Sequence, residues 1–534
     1  MFSYINTIIA ILWLSSALFD YAGFCYVWQL KWYRWDRFRD FLSTEQGRLF
    51  LFRYDYLYRT FIVLILFILP INSSILFKQI LIIFLFFDLL MRLLKYAKKE
   101  TRRPVLSIKA SLILLFSLGF EAFCVLWFWD LNILLLAIVF RLLIISLIVL
   151  VVNSLTNFLK FFYFKKARKK LERYKNLKVI GITGSYGKTT VKEFLYQMLT
   201  QKFNVVKTPK NVNSDIGISR FIVQTDFSDI DIFIVEIGAY KIGDVKLVCD
   251  IVHPQIGILT AINEQHLSLF GSIENTQHAK YELLRSLPKN GLAITNSDNK
   301  YCREFLHELD AEVVTFGIDL EYNPTCSIEE IKTNEIGVYV NGVIKWKGLD
   351  SGRGIQTKFK GEHNMMNLAP CLLVAIYLGF TSDEYIQSAE QIESPDNLIK
   401  TFSYGKTTIL DDSYNSNPDG FLAALQVIST YPSQRRRIVI TRGMLELGDR
   451  SNELHEKIGG EIAFVADELI IITPDFRNAL RRGVGTKYNT EVYDKFSADE
   501  LLAYVKKIKK TDSVVLLENR IPEIVKKEIE SDKK

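Results

Sequence analysis

The sequence predicts a multi-span α-helical membrane region at the N-terminus, followed by an α/β part with a P-loop-type central domain and a Rossmann-like C-terminal domain. Three observations carry this prediction. Residues 1–160 contain six of the seven Trp but only three of the 28 Gly, and apolar runs dominate them. From residue 177 onward, β-type runs alternate with helical patterns, as in parallel sheets covered by helices. A glycine-rich run, Thr183–Thr190, follows the first of these strands.

Apolar segments in the first 160 residues predict five membrane-spanning helices, because a span needs about 20 such residues. The segments are residues 6–29, two short pieces within 60–94 separated at Pro70, and residues 109–129 and 131–158. The last two include Glu121 and Arg141, at similar depth on antiparallel helices. We expect these two side chains to form an ion pair, which lowers the cost of burying each. No relay of several charges across the bilayer is predicted, so transport is disfavoured.

The basic residues follow the predicted loops. Residues 31–59, 95–109 and 160–178 carry seven, six and nine Lys or Arg, whereas the opposite turns carry only Lys78. The positive-inside rule then predicts an N-terminus outside the cell membrane and a C-terminal part in the cytoplasm. The net charge of +7 thus reflects topology and does not indicate nucleic-acid binding. The six Cys include no CxxC pair, so neither a disulfide framework nor a structural zinc site is expected.

A phosphate-binding loop is the strongest local signal of chemistry. The short strand pattern of residues 177–182 runs into the glycine-rich loop, and a helical pattern follows it, which is the context of a phosphate loop. Backbone N–H groups of the loop would bind the phosphates of ATP, Lys188 would add positive charge, and the Thr189 hydroxyl would bind Mg²⁺. Ile182 stands where the usual motif has its first Gly. The predicted ATP-binding residues are Thr183, Gly184, Ser185, Tyr186, Gly187, Lys188, Thr189 and Thr190.

Further motifs follow in a fixed order. They are T-P-K-N-V-N at 208–213, V-E-I-G-A at 235–239, N-E-Q-H-L at 263–267, A-K-Y-E at 279–282, G-E-H-N-M-M-N at 361–367 and D-D-S-Y-N-S-N-P at 411–418. In this order they resemble the Mur ligase family, ATP-dependent amide-forming enzymes of peptidoglycan precursor synthesis. The last string is similar to the MurF-type branch, whose members add D-alanyl-D-alanine to UDP-N-acetylmuramoyl-tripeptide.

The resemblance implies roles for individual residues. Lys188, Lys280 and His266 would be catalytic. Mg²⁺ would be held by Thr189, Glu236, His266 and, if carbamylated, Lys280. The remaining nucleotide-binding residues would be Asn296, His363, Asn364, Asn367, Asp412, Tyr414 and Asn415, and the substrate-binding residues Asn211, Asn213 and Asn417.

The sequence also departs from the family pattern. The Arg expected before the last domain is absent from residues 395–400, G-D-M appears as Arg442-Gly443-Met444, and K-G-S-R appears as Leu517-Glu518-Asn519-Arg520. These changes affect the part of the site expected to receive the amine. The small domain that grips the uridine nucleotide in the MurF type is missing, and the predicted spans take its place.

Four regions are therefore predicted: a transmembrane region (1–160), a basic linker (161–176), a central ATP-binding domain (177–396) and a C-terminal domain (397–534). We expect a multi-pass membrane ligase whose catalytic part faces the cytoplasm. Its partners would be a soluble or lipid-linked muramoyl-peptide precursor, D-alanyl-D-alanine, the lipid bilayer and cell-wall synthesis proteins. Two alternatives stay open: a Mur-like amino-acid ligase of the poly-γ-glutamate type, and a nucleotide-binding membrane scaffold without turnover.

Overall fold

The chain divides into two units, residues 1–161 and 162–534. The computed structural model describes residues 4–51, 57, 60–65, 75–97, 103–128, 130–210, 212–263, 270–333, 338–346, 349–358, 364–393, 399–413, 417–445, 447, 450–486 and 488–531.

The first unit is helical. Its helices are α1 (Tyr4–Leu30), α2 (Trp35–Ser43), α3 (Glu45–Leu51), α4 (Ile75–Ala97), α5 (Ile108–Phe123) and α6 (Leu131–Leu171), and α5 continues as a π-helical turn over Cys124–Phe128. Residues 162–171 of α6 belong to the second unit.

Three described helical segments are long and apolar enough to cross a membrane: Tyr4–Leu30, Ile108–Trp127 and Ile133–Leu171. They coincide with the first and the last two of the five predicted spans. Helix α4 corresponds to the second helix of the predicted middle pair, and it is long enough to cross a membrane. It carries four charged residues, Lys78, Asp88, Arg92 and Lys95, and it is not one of the three apolar segments. The turn predicted at Pro70 lies outside the described residues. The structure thus supports three of the five spans.

The predicted pair of Glu121 and Arg141 is confirmed. The Arg141 Nε donates to Glu121 Oε1 at 2.9 Å, and both side chains are at most 1% exposed. Arg141 Nη1 also donates to Asp20 Oδ2 at 2.9 Å and to Ser16 Oγ at 3.1 Å. The Tyr21 hydroxyl adds a hydrogen bond of 2.9 Å to Glu121 Oε1. The guanidinium is therefore matched by two carboxylates on two other helices.

The charged cluster is larger than the predicted pair of Glu121 and Arg141. Arg92 on α4 donates from Nη2 to Asp20 Oδ1 at 2.8 Å and from Nε to Asp88 Oδ2 at 2.9 Å. Ser16 Oγ donates to the same Asp88 oxygen at 3.0 Å. The five charged side chains come from α1, α4, α5 and α6. We call them the buried charge network: Asp20, Asp88, Arg92, Glu121 and Arg141.

Replacing Arg141 by glutamine is expected to lower the free energy of unfolding by about 3–5 kcal/mol, because it leaves the buried Glu121 carboxylate without its cation and leaves Asp20 with Arg92 alone. Chemical unfolding of the full chain in detergent measures the change. Lys165→Gln removes a charge from an exposed position on the same helix and serves as the control. Equal stability of the two variants would show that the network does not stabilise the unit.

The second unit contains a nine-stranded sheet in its first part. Its strands are β1 (Lys178–Thr183), β2 (Val205–Lys207), β3 (Ile232–Glu236), β4 (Ile256–Leu259), β5 (Leu292–Asn296), β6 (Glu312–Gly317), β7 (Cys326–Thr333), β8 (Val338–Trp346) and β9 (Leu349–Gln356). The order is β2-β3-β1-β4-β5-β6-β7-β8-β9. Pairs from β2 to β7 are parallel, and β7, β8 and β9 form an antiparallel meander.

Helices cover both faces of this sheet. They are α7 (Lys188–Leu199), α8 (Asp215–Gln224), α9 (Asp244–Val252), α10 (Ile273–Arg285), α11 (Lys300–Arg303), α12 (Met365–Tyr377) and α13 (Ser382–Glu390). Alternate residues of β1 enter two different cores, since Ile180 packs with α7 and α12 while Val179 packs with α8, α9 and α10. A strand buried on both faces is typical of parallel α/β sheets, so the predicted alternation of strands and helices is confirmed.

The predicted basic linker begins as helix. Phe164, Ala167 and Leu171 of α6 pack into the core that contains Val179. The Lys170 ammonium donates to the carbonyl oxygens of residues 223 and 225, at the end of α8. The last turns of α6 therefore belong to the packed structure of the second unit.

A six-stranded sheet forms the last part of the chain. It consists of β10 (Lys400–Tyr404), β11 (Thr407–Asp412), β12 (Arg436–Thr441), β13 (Glu468–Ile471), β14 (Glu491–Asp494) and β15 (Ser513–Glu518), in the order β10-β11-β15-β12-β13-β14. Only the β10–β11 pair is antiparallel among these strands. The helices are α14 (Pro418–Ser429), α15 (Ser451–Val465), α16 (Arg477–Val484), α17 (Ala498–Ile508) and α18 (Glu523–Glu530).

Candidate functional site

The glycine-rich loop joins the carboxyl end of β1 to the start of α7. Gly184 has φ +149° and Gly187 has φ +80°, values that side chains of L-amino acids rarely adopt. A Cβ on Gly184 would overlap the Thr260 hydroxyl, and one on Gly187 would lie 2.5 Å from Asn367 Oδ1. Both glycines are thus required by conformation and by space. The loop leads directly into the amino end of α7, where unpaired backbone N–H groups favour anions.

Neighbouring strand ends hold the loop in place. The Ser185 N–H donates to the Ala261 carbonyl at 2.7 Å, and the Ser185 hydroxyl accepts from the Asn263 N–H at 3.0 Å. Both partners follow β4. The Thr260 hydroxyl also donates to the carbonyl of Tyr186. No role was predicted for Thr260 or for Asn263, the first residue of the motif at 263–267, because each contacts the loop only through the pairing of β4 with β1.

Two lysines converge on one carbonyl group of the loop. Lys188 Nζ donates to the oxygens of Gly184 at 2.7 Å and Ser185 at 3.1 Å, and Lys280 Nζ donates to the Gly184 oxygen at 2.9 Å. Burial lowers the pKa of Lys188. Burial, together with the nearby charge of Lys188, holds the pKa of Lys280 well below its usual range. The structure therefore places Lys280, which is distant in sequence, beside the loop.

The carboxylate of Glu236 lies at the carboxyl end of β3. The Thr189 hydroxyl donates to its Oε2 at 3.0 Å, Lys192 Nζ donates to the same atom at 2.9 Å, and Asn213 Nδ2 donates to Oε1 at 3.2 Å. Burial raises the pKa of Glu236, but the ammonium groups of Lys192 and Lys188 more than offset this and lower it. Glu236 is thus an ionised carboxylate beside the loop.

Lys192 is a residue that sequence analysis missed. It is fully buried and forms an ion pair with Glu236. Its spacing in the sequence could have identified it as a site residue, because position 192 lies four residues after Lys188 and hence on the same face of α7.

The segment around residue 364 reaches the loop from the other side. Asn367, on α12, lies next to Gly187, with its Oδ1 2.5 Å from the position that a Cβ of residue 187 would take. Its Nδ2 donates to Asn364 Oδ1 at 3.3 Å. Asn364 is buried at the start of α12 without a capping hydrogen bond from its side chain. Asn296 ends β5, two strands from β1, and its Oδ1 accepts from the Asp298 N–H at 2.8 Å. The structure gives no contact between Asn296 and the loop.

In the last part of the chain, Asp412 ends β11. Burial and the adjacent Asp411 raise the pKa of Asp412 to about 7. Asn417 caps α14 by accepting from the Gly420 N–H at 3.0 Å. Five predicted site residues lie outside the described part of the chain: Asn211, His266, His363, Tyr414 and Asn415.

The turn after β12 rests on a buried histidine. The Met444 N–H donates to His455 Nε2 at 2.8 Å, so Nδ1 carries the proton and faces the Ser451 carbonyl at 2.6 Å. The imidazole stacks on Phe476 with 4.2 Å between ring centroids. Burial lowers the pKa of His455 to about 4, although the Ser451 carbonyl opposes this.

Acidification is expected to weaken this part of the chain. Unfolded His455 binds a proton near pH 6.5, whereas the folded residue does so only near pH 4. The unfolded state binds more protons in this window, so roughly 3 kcal/mol of stability is lost as the pH falls through it. Pulse proteolysis in urea at several pH values, following the fragment that contains residues 399–531, measures the loss. His455→Gln should flatten the pH dependence relative to His307→Gln, a change at an exposed position. Identical pH profiles would contradict the prediction.

A parallel sheet with a glycine loop at the carboxyl end of an inner strand, and a buried carboxylate at the end of the next strand, defines a nucleotide-phosphate-binding α/β protein. Residues 182–375 match the Mur ligase middle domain, and residues 398–518 match the Mur ligase glutamate ligase domain. The chain therefore belongs to the Mur ligase family and carries its middle and C-terminal domains.

Individual relatives agree with this family. The chain is 30% identical over 301 residues to the UDP-N-acetylmuramoyl-tripeptide–D-alanyl-D-alanine ligase of Synechocystis sp., covering 56% of this chain and 62% of that protein. The enzyme of the same name from Escherichia coli K12 is 27% identical over 284 residues, covering 53% and 61%. The chain thus spans about three fifths of the length of these curated relatives.

Solved structures show the same fold. MurF from Acinetobacter baumannii superposes with a TM-score of 0.60 at 22% identity, covering 68% of this chain and 77% of that one. MurF ligase from Thermotoga maritima in complex with ADP gives 0.59 at 24% identity, covering 70% and 84%.

Proposed function

We propose that this chain is a membrane-anchored, ATP-dependent ligase that joins D-alanyl-D-alanine to a muramoyl-tripeptide precursor of peptidoglycan. The observation that carries the proposal is the phosphate loop with Lys188, Thr189 and Glu236 around it, in a chain whose relatives from Synechocystis and Escherichia coli are named as ligases of this reaction.

The loop fits the phosphates of ATP. Its two glycines with positive φ, the amino end of α7 and the Lys188 ammonium together provide an anion site. Mg²⁺ usually takes one or two protein oxygen donors and completes its shell with phosphates and water. The Thr189 hydroxyl and the Glu236 carboxylate, 3.0 Å apart, are donors of this kind, and the predicted ligand His266 would add an imidazole nitrogen. Bound there, Mg²⁺ would neutralise phosphate charge.

The proposed reaction has two steps. The γ-phosphoryl group of ATP passes to the carboxylate of the tripeptide, giving an acyl phosphate and ADP; the free amine of D-alanyl-D-alanine then attacks the acyl carbon, phosphate leaves and an amide forms. Charge stabilisation is the main task of the protein in phosphoryl transfer. Lys188 lies where it can stabilise negative charge on the transferred group.

Lys280 would act as a carbamate. A neutral amine is the form that adds CO₂, and burial beside Lys188 favours the neutral form of Lys280. Carbamylation replaces a potential ammonium by a carboxylate, which would attract both Mg²⁺ and Lys188 instead of repelling them. The amine lies 2.9 Å from the Gly184 oxygen, so the new carboxylate would sit beside the phosphate loop.

The apolar helices of the first unit would anchor the ligase in the cell membrane. The basic segments on one side support an N-terminus outside and catalysis in the cytoplasm. We infer that the donor is presented either as a lipid-linked precursor at the membrane or by a partner protein of cell-wall synthesis.

Two other functions use the same site. A poly-γ-glutamate-type ligase would accept amino acids in place of the dipeptide, and the Asp411–Pro418 string argues against it. A scaffold that binds ATP without turnover is favoured only by the altered segments at 395–400 and 442–444.

The deciding experiment is an ADP-release assay on the full chain in detergent. We expect release that depends on both a muramoyl tripeptide and D-alanyl-D-alanine, with soluble and lipid-linked donors compared side by side. Release with glutamate alone as acceptor would favour the amino-acid ligase. ATP binding without release under any of these conditions would favour the scaffold.

A further inference from the structure

Charged residues meet at the carboxyl edge of the second sheet. Asp412 of β11 pairs in register with Glu518 of β15, which pairs with Thr441 of β12. The residues that follow these strands therefore lie side by side. Asn519 Nδ2 donates to the Gly443 carbonyl at 2.6 Å, which ties the end of β15 to the turn after β12. This bond places Arg442 and Arg520 on adjacent segments of one edge.

Arg442 has unused hydrogen-bonding capacity at this edge. Its Nε is buried and has no hydrogen-bond partner among the described residues, and Asp475 Oδ1 is in the same condition. The other Asp475 oxygen accepts from the Thr473 hydroxyl at 3.2 Å. Burial lowers the pKa of Arg442, the charge of Asp475 opposes this, and the charge of Arg520 adds to it. The Arg442 guanidinium is thus within electrostatic range of both the Asp475 carboxylate and the Arg520 guanidinium.

This arrangement suits a ligand that carries both a carboxylate and an amine. A guanidinium binds a carboxylate with paired hydrogen bonds, and a second guanidinium strengthens the attraction. The carboxyl groups of Asp412 and Glu518, on the neighbouring strands, supply hydrogen-bond acceptors for an amine at the same edge. The family pattern has Gly-Asp where this chain has Arg442-Gly443, so an acidic position has been lost and a basic one gained.

We propose that Arg442, together with Arg520, binds the free carboxylate of the acceptor, so that this site selects amines that also carry an unblocked C-terminal carboxylate. The inference rests on the proposed ligase function for the identity of the acceptor. It assigns acceptor recognition to a position at which the sequence departs from the family pattern. Arg442 is the specificity-determining residue, and the turn held by His455 positions it.

A binding experiment tests the inference without requiring turnover. The full chain in detergent, saturated with a non-hydrolysable ATP analogue, is titrated calorimetrically with D-alanyl-D-alanine and with its C-terminal amide. We expect the free acid to bind at least about 30-fold more tightly than the amide, since removing one partner of a desolvated charge pair has an effect of this size. Arg442→Gln should abolish most of this preference, and Arg442→Lys should restore part of it. Arg482→Gln, which removes an exposed arginine paired with Glu456, should leave it unchanged.

Three results would overturn the inference: no binding of the dipeptide, equal binding of acid and amide by the unaltered chain, or an undiminished preference in Arg442→Gln. Thermal unfolding of Arg442→Gln and Arg482→Gln confirms that the variants are folded alike. Failure of the ligase proposal is distinguishable, because it would appear as absent ADP release while the binding preference for the free carboxylate persists.

Discussion

Alanine at position 188 is expected to reduce ADP release by at least about 1000-fold, the scale on which a cation that stabilises phosphoryl transfer contributes. Lys188 is the loop residue whose ammonium already contacts the backbone that would surround the phosphates, with 2.7 Å to the Gly184 oxygen and 3.1 Å to the Ser185 oxygen. Removing it leaves the fold of β1 and α7 intact, because its partners are carbonyl groups at the concave side of the loop. Initial rates with both substrates at saturation measure the effect.

Lys246→Ala is the matched control. Lys246 lies on α9 in the same domain and forms an exposed ion pair with Asp250, so its loss should change neither rate nor stability appreciably. Turnover by Lys188→Ala at a rate close to that of the control would refute the assignment of the loop to phosphoryl transfer. If a cellular role dependent on membrane localisation survives in Lys188→Ala, the scaffold alternative gains support.

Lys280→Gln is expected to reduce ligase activity by about 100-fold or more, because the site loses the negative group that we assign to the carbamate. The unaltered chain incubated with ¹³C-labelled bicarbonate should show a carbamate carbon signal by NMR, and Lys280→Gln should lack it. Activity of the unaltered chain should also rise when CO₂ is restored to a CO₂-depleted sample.

Lys289→Gln is the corresponding control, since Lys289 is an exposed lysine shortly after the same helix. A carbamate signal that persists in Lys280→Gln would place the modification elsewhere. Absence of the signal in the unaltered chain, with full activity, would mean that Lys280 acts as an amine.

Contiguous features were predictable from the sequence. The loop of residues 183–190 is a single string whose glycines, lysine and threonine have fixed positions relative to a strand and a helix, so its local geometry follows from the string.

The pairing of Glu121 with Arg141 was also predictable, because two opposite charges at similar depth in neighbouring apolar helices are natural partners.

Features that depend on helix rotation or strand order were not predictable. Asp20, Asp88 and Arg92 appear in the sequence as isolated charges, and nothing local shows that they face Arg141. Lys192 is one of many helical lysines until β3 brings Glu236 next to it. Arg442 stood out as a departure from a pattern, but its closeness to Arg520 and Asp475 emerges only from the order β15-β12-β13.

The buried charge network makes the first unit hard to exchange. A single apolar helix that only tethers a protein tolerates replacement by almost any other apolar sequence of the same length. Here each of the five charged side chains depends on partners in other helices. Once one of them has been replaced, its partners have lost their counter-charge, so replacing them as well costs less stability. Homologous units should therefore keep or lose these charges together, and a chimaera that exchanges one helix should fold less well than one that exchanges the whole unit.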